Sequence, residues 1–345
     1  MRGMTEILRC LMPGLLLHLM LLAAPAWAQQ DEELNLKGAI DIHTHMGPDS
    51  VERGIDADDL ARLAKAAGMR GLVMKNHWEP TASMVYLMRK EVPGIELFGG
   101  VTQDLAVGGI NVEAVKHMAN VKGGYGRVVW LPTFDSENEV KGNGPQVPVA
   151  RDGKLLPGVL ELIDYIAAHP SLVLETGHVS AAEALLVVHE ARARGVQHIV
   201  VTHAMNAPVS MTIPQMQQAA RDGAFIEFTY GATLPLNSPL TVPKFAEAIR
   251  AIGAKSCILA TDLGGRPSLP PNPPRPMPPQ GLLEFMRKLH QEGIAVADIN
   301  LMAKTNPALA LSLDPWRGSG GAREENKPAI GPSAKPAPQE KRIKR

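Results

Sequence analysis

Eight short apolar runs rich in β-branched residues alternate with amphipathic stretches along most of this chain. The stretches between the runs, such as Ala57 to Ala67 and Ala181 to Arg194, carry apolar residues at helical spacing. The runs themselves show little polar alternation, which is typical of parallel strands that are covered on both faces. They are Ala39 to His43, Gly71 to Lys75, Ile95 to Val101, Arg127 to Leu131, Leu172 to Glu175, His198 to Thr202, Ala224 to Thr229 and Cys257 to Thr261.

Eight strands with helices between them predict an α/β protein built as a (β/α)8 barrel of the TIM type. A doubly wound open sheet is the alternative arrangement. That fold often places a Gly-rich phosphate loop after its first strand, whereas this chain has Asp41-Ile-His-Thr-His45 at that place. The barrel is therefore the preferred interpretation.

The N-terminus has the pattern of a secretory signal peptide over residues 1–28. Arg2 and Arg9 precede an apolar run that ends at Ala24, and Ala26-Trp27-Ala28 has the small-x-small form of a cleavage site. An uncleaved anchor is the alternative, but the run is shorter than the ~20 residues of a membrane span. We predict a periplasmic or secreted protein with its barrel domain at residues 29–316.

Residues 317–345 differ from the rest of the chain in composition. They are rich in Gly, Pro, Lys and Arg, and Ile330 and Ile343 are their only large apolar side chains. Such a segment cannot bury enough apolar surface to offset its ordering entropy. It is predicted to be a disordered basic tail.

The composition of the chain indicates which classes of binding partner are to be expected. The chain carries 35 basic and 35 acidic side chains, and aromatic residues make up 4% of it. These values disfavour nucleic-acid binding, and no later apolar run is long enough for stable membrane insertion. We expect a small-molecule substrate, and a homo-oligomer is compatible with the sequence.

Histidines stand at the carboxyl ends of the predicted strands, where barrel enzymes carry their active sites. His43 and His45 are two residues apart, so on a strand both side chains point to the same face and can bind one ion. Imidazole suits zinc and its neighbours, and a carboxylate completes the usual hydrolytic ligand set. The other candidates at strand ends are His77, His178, His203 and Asp262.

These segments resemble the amidohydrolase superfamily of metal-dependent hydrolases, in the order of that superfamily and over most of residues 38–314. Lys75-Asn-His77 is similar to the second-strand motif of a poorly characterised branch. The resemblance depends on Asp41-Ile-His43-Thr-His45, Glu175-Thr-Gly-His178, Val201-Thr-His203, Ala260-Thr-Asp262 and Thr305-Asn306-Pro307-Ala308-Leu309.

The resemblance implies one or two divalent metal ions per chain, with zinc as the expected ion. It implies that His43, His45 and Asp262 bind the more buried metal. His178 and His203 would bind a second metal or assist catalysis. Asp262 is expected to act as general acid and base, and His77 is assigned to the substrate.

The fourth strand departs from the superfamily pattern. Two-metal members often supply a bridging carboxylated Lys or a Glu there, but the run from Val128 to Thr133 has neither. Lys75 is a candidate replacement, because a nearby dication lowers the pKa of its amine and the neutral amine can become a bridging carbamate. Lys75 as an ammonium that turns away from the metal to bind a substrate carboxylate is the alternative, and a single-metal site also stays open.

A Pro-rich segment, Gly264 to Gly281, follows directly on Asp262. Its composition predicts a semi-rigid extended loop at the barrel mouth with a role in substrate gating or specificity. Arg266 or Arg275 is expected to meet an anionic group of the substrate there.

Together these features predict an exported metal-dependent hydrolase that cleaves an amide, cyclic amide or ester bond with metal-activated water. Two alternatives stay open at this point. One is a single-metal decarboxylase of the same barrel type, and the other is a protein that binds metal without turnover.

Overall fold

A computed structural model describes residues 34–235, 240–265 and 274–315. Its main sheet has eight parallel strands in the hydrogen-bonded order β1-β2-β3-β4-β7-β8-β9-β10, which confirms the predicted (β/α)8 barrel. These strands are β1 (Ile40–Thr44), β2 (Gly71–Met74), β3 (Glu96–Thr102), β4 (Gly126–Trp130), β7 (Val173–Glu175), β8 (His198–Val201), β9 (Phe225–Thr229) and β10 (Cys257–Ala260).

The first and last strands close the barrel at the end where the site lies. The backbone N–H of Asp262 donates to the carbonyl of His43, and that of His45 donates to the carbonyl of Leu263, each at 2.8 Å. Because the chain continues past β10 beside β1, residues that are more than 200 positions apart in sequence become neighbours. β5 (Ala150–Arg151) and β6 (Lys154–Leu155) form a separate antiparallel hairpin.

Helices connect the strands and cover the barrel. Side chains cap several of them: Ser180 and Glu183 form a reciprocal capping box at the start of α6. None of the helices in the described ranges is long and apolar enough to cross a membrane. The helices are α1 (Ala57–Ala66), α2 (Ala82–Glu91), α3 (Val112–Ala119), α4 (Glu137–Val140), α5 (Pro157–Ala167), α6 (Ala181–Ala193), α7 (Ile213–Arg221), α8 (Val242–Ile252), α9 (Pro278–Gln291), α10 (Val296–Asn300) and α11 (Asn306–Ala310).

The core has two layers, one between the strands and the helices and one inside the barrel. Ile42, Phe98 and Trp130 fill the inner layer, and α11 adds Ala308 and Ala310 to it. Asn306 donates to the carbonyl of Cys257 at 2.7 Å, which fixes α11 against the start of β10. Side chains therefore close the barrel at the amino ends of the strands, and a cavity lies at the carboxyl ends.

The predicted signal peptide and basic tail, residues 1–28 and 317–345, lie outside the described residues. The Pro-rich segment is described only at its two ends, because residues 266–273 also lie outside. Arg266 is one of these residues, so its assignment to the substrate stays a prediction.

Candidate metal centre

Three of the predicted ligands come together at the carboxyl ends of β1 and β10. His43, His45 and Asp262 each offer one ligand atom, and these atoms lie within 4.8 Å of one another. His45 Nε2 is 3.1 Å and His43 Nε2 is 3.5 Å from the same oxygen, Asp262 Oδ1. Both imidazoles are buried, whereas the Asp262 side chain is 29% exposed and faces the cavity.

Local structure explains why these side chains converge. His43 lies on β1 and His45 is the first residue after it. Both side chains point the same way, as expected for residues two apart in extended chain, since both Nε2 atoms face Asp262 Oδ1. Asp262 adopts a φ of +52°, a conformation that Asp tolerates better than most residues. Asp41 ties the two strands together, since its carboxylate accepts from the Thr261 hydroxyl at 2.6 Å and from the His43 N–H at 3.1 Å. Burial raises the pKa of Asp41 to about 7.

The second nitrogen of each histidine has a fixed partner. His43 Nδ1 lies 3.2 Å from Glu227 Oε2, and His45 Nδ1 lies 3.0 Å from the carbonyl oxygen of Lys75. Metal-binding imidazoles are commonly oriented in this way, with the outer N–H donated to a carboxylate or a carbonyl. These contacts leave both Nε2 atoms facing Asp262, so the donor set fits a divalent metal. Burial is the main cause that lowers the pKa of both histidines, which favours the neutral form that binds metal.

Glu227 is a site residue whose role the sequence did not reveal. It is fully buried on β9, and its second contact is the backbone N–H of His203, which donates to Oε2 at 2.7 Å. One carboxylate therefore positions two of the predicted ligands. A carboxylate in the middle of the apolar run from Ala224 to Thr229 was the signal available in the sequence.

Lys75 directly follows β2, the strand that pairs with β1. Its side chain is fully buried, and Nζ is 3.2 Å from His43 Nε2, so it points to the cluster and not away from it. Burial is the main cause that lowers the pKa of Lys75. The ring of Trp130, the last residue of β4, has its centroid 5.3 Å from Nζ.

His178 and His203 lie beside the cluster. The ring centroid of His203 is 4.8 Å from that of His178 and 5.7 Å from that of His43. His203 Nδ1 is buried and has no hydrogen-bond partner in the described part of the chain, and burial lowers the pKa of His203 to about 3. His178 is fixed by Glu139, whose Oε2 lies 3.1 Å from Nδ1.

His77 is held by a hydrogen-bonded chain that begins at a buried carboxylate. The Thr133 hydroxyl donates to Asp104 at 2.5 Å and lies 2.8 Å from His77 Nδ1. Because Thr133 donates to Asp104, it accepts from His77, and the proton of the neutral imidazole is placed on Nδ1. The Nε2 atom of His77 is thus left as an acceptor in the cavity that the residue lines.

One cavity of about 690 Å³, a volume typical of small-molecule sites, is lined by all of the predicted ligands and by His77. The loops above the strands add Trp78, Phe134, Arg53 and Arg275 to its walls, and of these only Arg275 was singled out from the sequence. Trp78 and Phe134 follow the ends of β2 and β4, which was the signal available for them. Cys257 is the first residue of β10, at the opposite end of the strand from Asp262, and burial raises the pKa of its thiol to about 12.

A family model described as a family of unknown function (DUF6282) matches residues 38–227. The match covers more than half of the 345 residues. The chain belongs to DUF6282. The matched region includes most of the site, from His43 to Glu227, while the segment that carries Asp262 and Arg275 lies beyond it. A comparison of the DUF6282 chain with curated proteins found no match.

Solved structures similar to this DUF6282 chain include several hydrolases. The organophosphorus hydrolase from Deinococcus radiodurans has 14% identity and a TM-score of 0.55, with 81% of this chain and 93% of that chain covered. A lactonase from Listeria monocytogenes has 12% identity and a TM-score of 0.52, with 81% and 96% covered. The N-acetyl-D-glucosamine-6-phosphate deacetylase from Mycobacterium smegmatis, a mutant form, has 12% identity and a TM-score of 0.53, with 81% and 78% covered. These similarities confirm the predicted barrel fold.

Proposed function

We propose that this protein is a metal-dependent hydrolase that cleaves an amide, cyclic amide or ester bond of a small molecule. The observation that carries the proposal is the convergence of His43, His45 and Asp262 on one point at the mouth of the barrel. A cluster of two oriented imidazoles and one carboxylate is a common ligand set of hydrolytic zinc sites. The hydrolase activities of the similar solved structures support the same class of reaction.

A bound divalent metal would acidify a water molecule and polarise the carbonyl of the substrate. The protein's own contribution starts with Asp262. Burial acts to raise its pKa, but His43, His45 and His203 outweigh this effect and hold the pKa well below its usual range. The carboxylate is therefore ionised at neutral pH, and it can accept the proton of the attacking water and return it to the leaving group.

The neighbouring histidines have separate tasks in this proposal. His77, held by Thr133, offers Nε2 as a hydrogen-bond acceptor to the substrate. His203 lies next to His43 with a buried, unused nitrogen, which suits a ligand or a proton carrier. Zinc is proposed as the ion on the chemistry of the donor set. Export to the periplasm or the medium is proposed on the N-terminal sequence.

The proposal is tested on protein purified without added metal. We expect one or two divalent ions per chain, and hydrolysis within a panel of amides, lactams, esters and lactones. Asp262→Asn removes the proton acceptor but keeps an oxygen that can bind the ion, so turnover should fall about 10²- to 10⁴-fold while metal is retained. Asp152→Asn, on the exposed β5–β6 turn, is the matched control and should keep full turnover.

Three outcomes would contradict the proposal. Undiminished turnover in Asp262→Asn would reassign the base. Release of carbon dioxide from a carboxylic acid, with no hydrolytic product, would identify a decarboxylase. Full metal occupancy without turnover of any substrate in the panel would identify a metal-binding protein without this activity.

A further inference from the structure

The cavity above the cluster has one aromatic wall. Trp78 follows β2 and Phe134 follows β4, and their rings stack with 5.8 Å between centroids and 17° between planes. Phe134 is 43% exposed although it lines a cavity. Exposed apolar surface inside a concave site is typical of a surface that an apolar ligand group covers.

A second part of the cavity wall is cationic, because Arg275 lines it. Arg275 Nη2 donates at 3.1 Å to the carbonyl of Gly231, which follows β9. Three strand steps separate β9 from β4 by the shorter way around the barrel, so this anchor lies far from the strand that leads to Phe134. A Cβ atom at Gly231 would lie 2.9 Å from the carbonyl oxygen of Thr261 and 3.3 Å from Nη2, so this crowded position favours glycine.

The guanidinium of Arg275 has an unused donor. Its Nε is buried and has no hydrogen-bond partner among the residues that the structure describes. The carboxylate whose charge acts on it is Asp262, which is already engaged by His45. A buried donor without an acceptor costs free energy, and that cost is removed when a ligand supplies the acceptor. A planar fork of donors suits a carboxylate, sulfonate or phosphate group.

Arg53, which lines the same cavity, also has a buried nitrogen without a hydrogen bond, Nη2, but it differs in having a carboxylate partner. Its Nε donates to Asp49 at 2.6 Å, and its Nη2 forms an ion pair with the same carboxylate in the loop after β1. The charge of Arg53 is thus compensated by Asp49. Among the described residues, no ion pair of this kind compensates Arg275, so Arg275 is the better candidate to bind an anionic ligand.

We propose that the substrate is an organic anion with a flat apolar group. Its anionic group binds Arg275, its apolar group lies against Phe134 and Trp78, and the bond to be cleaved lies between them, above His43, His45 and Asp262. This inference rests on the proposed function only for the position of the reacting bond. The binding preference itself follows from the two walls and holds whether or not the bound molecule is cleaved.

The preference for an anionic over a neutral ligand is measured with two non-reacting probes of nearly equal shape. Phenylmethanesulfonate carries a flat ring and an anionic group that binds metals weakly, and benzyl methyl sulfone replaces that group with a neutral one. Binding of each probe to the metal-loaded, full-length protein is measured by calorimetry. We expect the sulfonate to bind about 10- to 100-fold more tightly, the range of a hydrogen bond to a charged group.

Variants assign the preference to Arg275. Arg275→Gln keeps a donor for the Gly231 carbonyl but loses the charge, so the preference should disappear while the affinity for the neutral sulfone is unchanged. Arg275→Lys keeps the charge without the fork and should retain part of the preference; it also serves as the test if the Gln variant does not fold. The control is Asp49→Asn with Arg53→Gln, which removes the neighbouring ion pair at constant net charge and should keep the full preference.

Phe134→Ala tests the aromatic wall and should lower the affinity for both probes by the same factor. Equal binding of the two probes to the unmodified protein would overturn the proposal. A preference that survives in Arg275→Gln, or that is lost equally in the control, would also overturn it. Because no turnover is measured, failure of the hydrolase proposal would leave these outcomes unaffected.

Discussion

We predict that the number of metals in the site depends on Lys75. Its Nζ is 3.2 Å from the His43 nitrogen that faces the metal cluster, and its side chain is fully buried. An ammonium at that place would oppose a dication, so a bound metal favours the neutral amine. The neutral amine can attack the carbon of carbon dioxide and release one proton, and the resulting carbamate would supply the bridging oxygens that β4 lacks.

Lys75→Ala tests this hypothesis. If the carbamate bridges two metals, the variant should lose the second metal and regain it when a short-chain carboxylic acid is added, because the acid can fill the space that the side chain leaves. Metal content per chain, measured by mass spectrometry, is the readout. Two metals retained in Lys75→Ala without added acid would exclude the carbamate, and a single metal in the unmodified protein would remove the need for a bridge.

At the scale of an element, the turn after β10 determines whether the ligands meet. Gly264 has a φ of +85°, and a Cβ atom at this position would lie 1.9 Å from the carbonyl oxygen of His45. The carbonyl of Gly264 also accepts from the backbone N–H of Gly54, at 3.2 Å. This close approach holds the turn, and with it Asp262, against the strand that carries the two histidines.

Gly264→Ala should therefore lower both stability and metal affinity. The left-handed conformation alone costs about 1–2 kcal/mol for a residue with a Cβ, and the contact with His45 adds to it. Gly142→Ala is the matched control, because Gly142 has a φ of +77° with no atom within 4 Å of its added Cβ. Urea unfolding and metal titration should show a loss in stability for both variants and a loss in metal affinity for Gly264→Ala alone. Equal metal affinities in the two variants would contradict this role of the turn.

At the scale of the whole molecule, the N-terminal sequence predicts that the active chain is shorter than the encoded one. Cleavage after Ala28 would leave Gln29 as the first residue of the exported protein. Intact mass and N-terminal sequencing of protein recovered outside the cytoplasm would measure this. Ala28→Phe should block processing, because the cleavage site requires a small residue there. A mature chain that still begins at Met1 would contradict the prediction.

The periodicity of the sequence was sufficient to predict the order of the strands, the barrel and the residues at its carboxyl ends. Burial repeats locally along each element, so a single chain segment carries this information. The same reasoning placed His43 and His45 on one face, because side chains in a strand alternate with a period of two.

The tertiary structure alone decided which side chains meet across the barrel. Glu227 contacts His43 from β9, Lys75 points to the cluster, and Phe134 and Arg275 line one cavity. These relations depend on the strand register and on the closure of β1 against β10, which join residues far apart in sequence. No local pattern records them, because an apolar run has the same periodicity whichever strand comes to lie beside it.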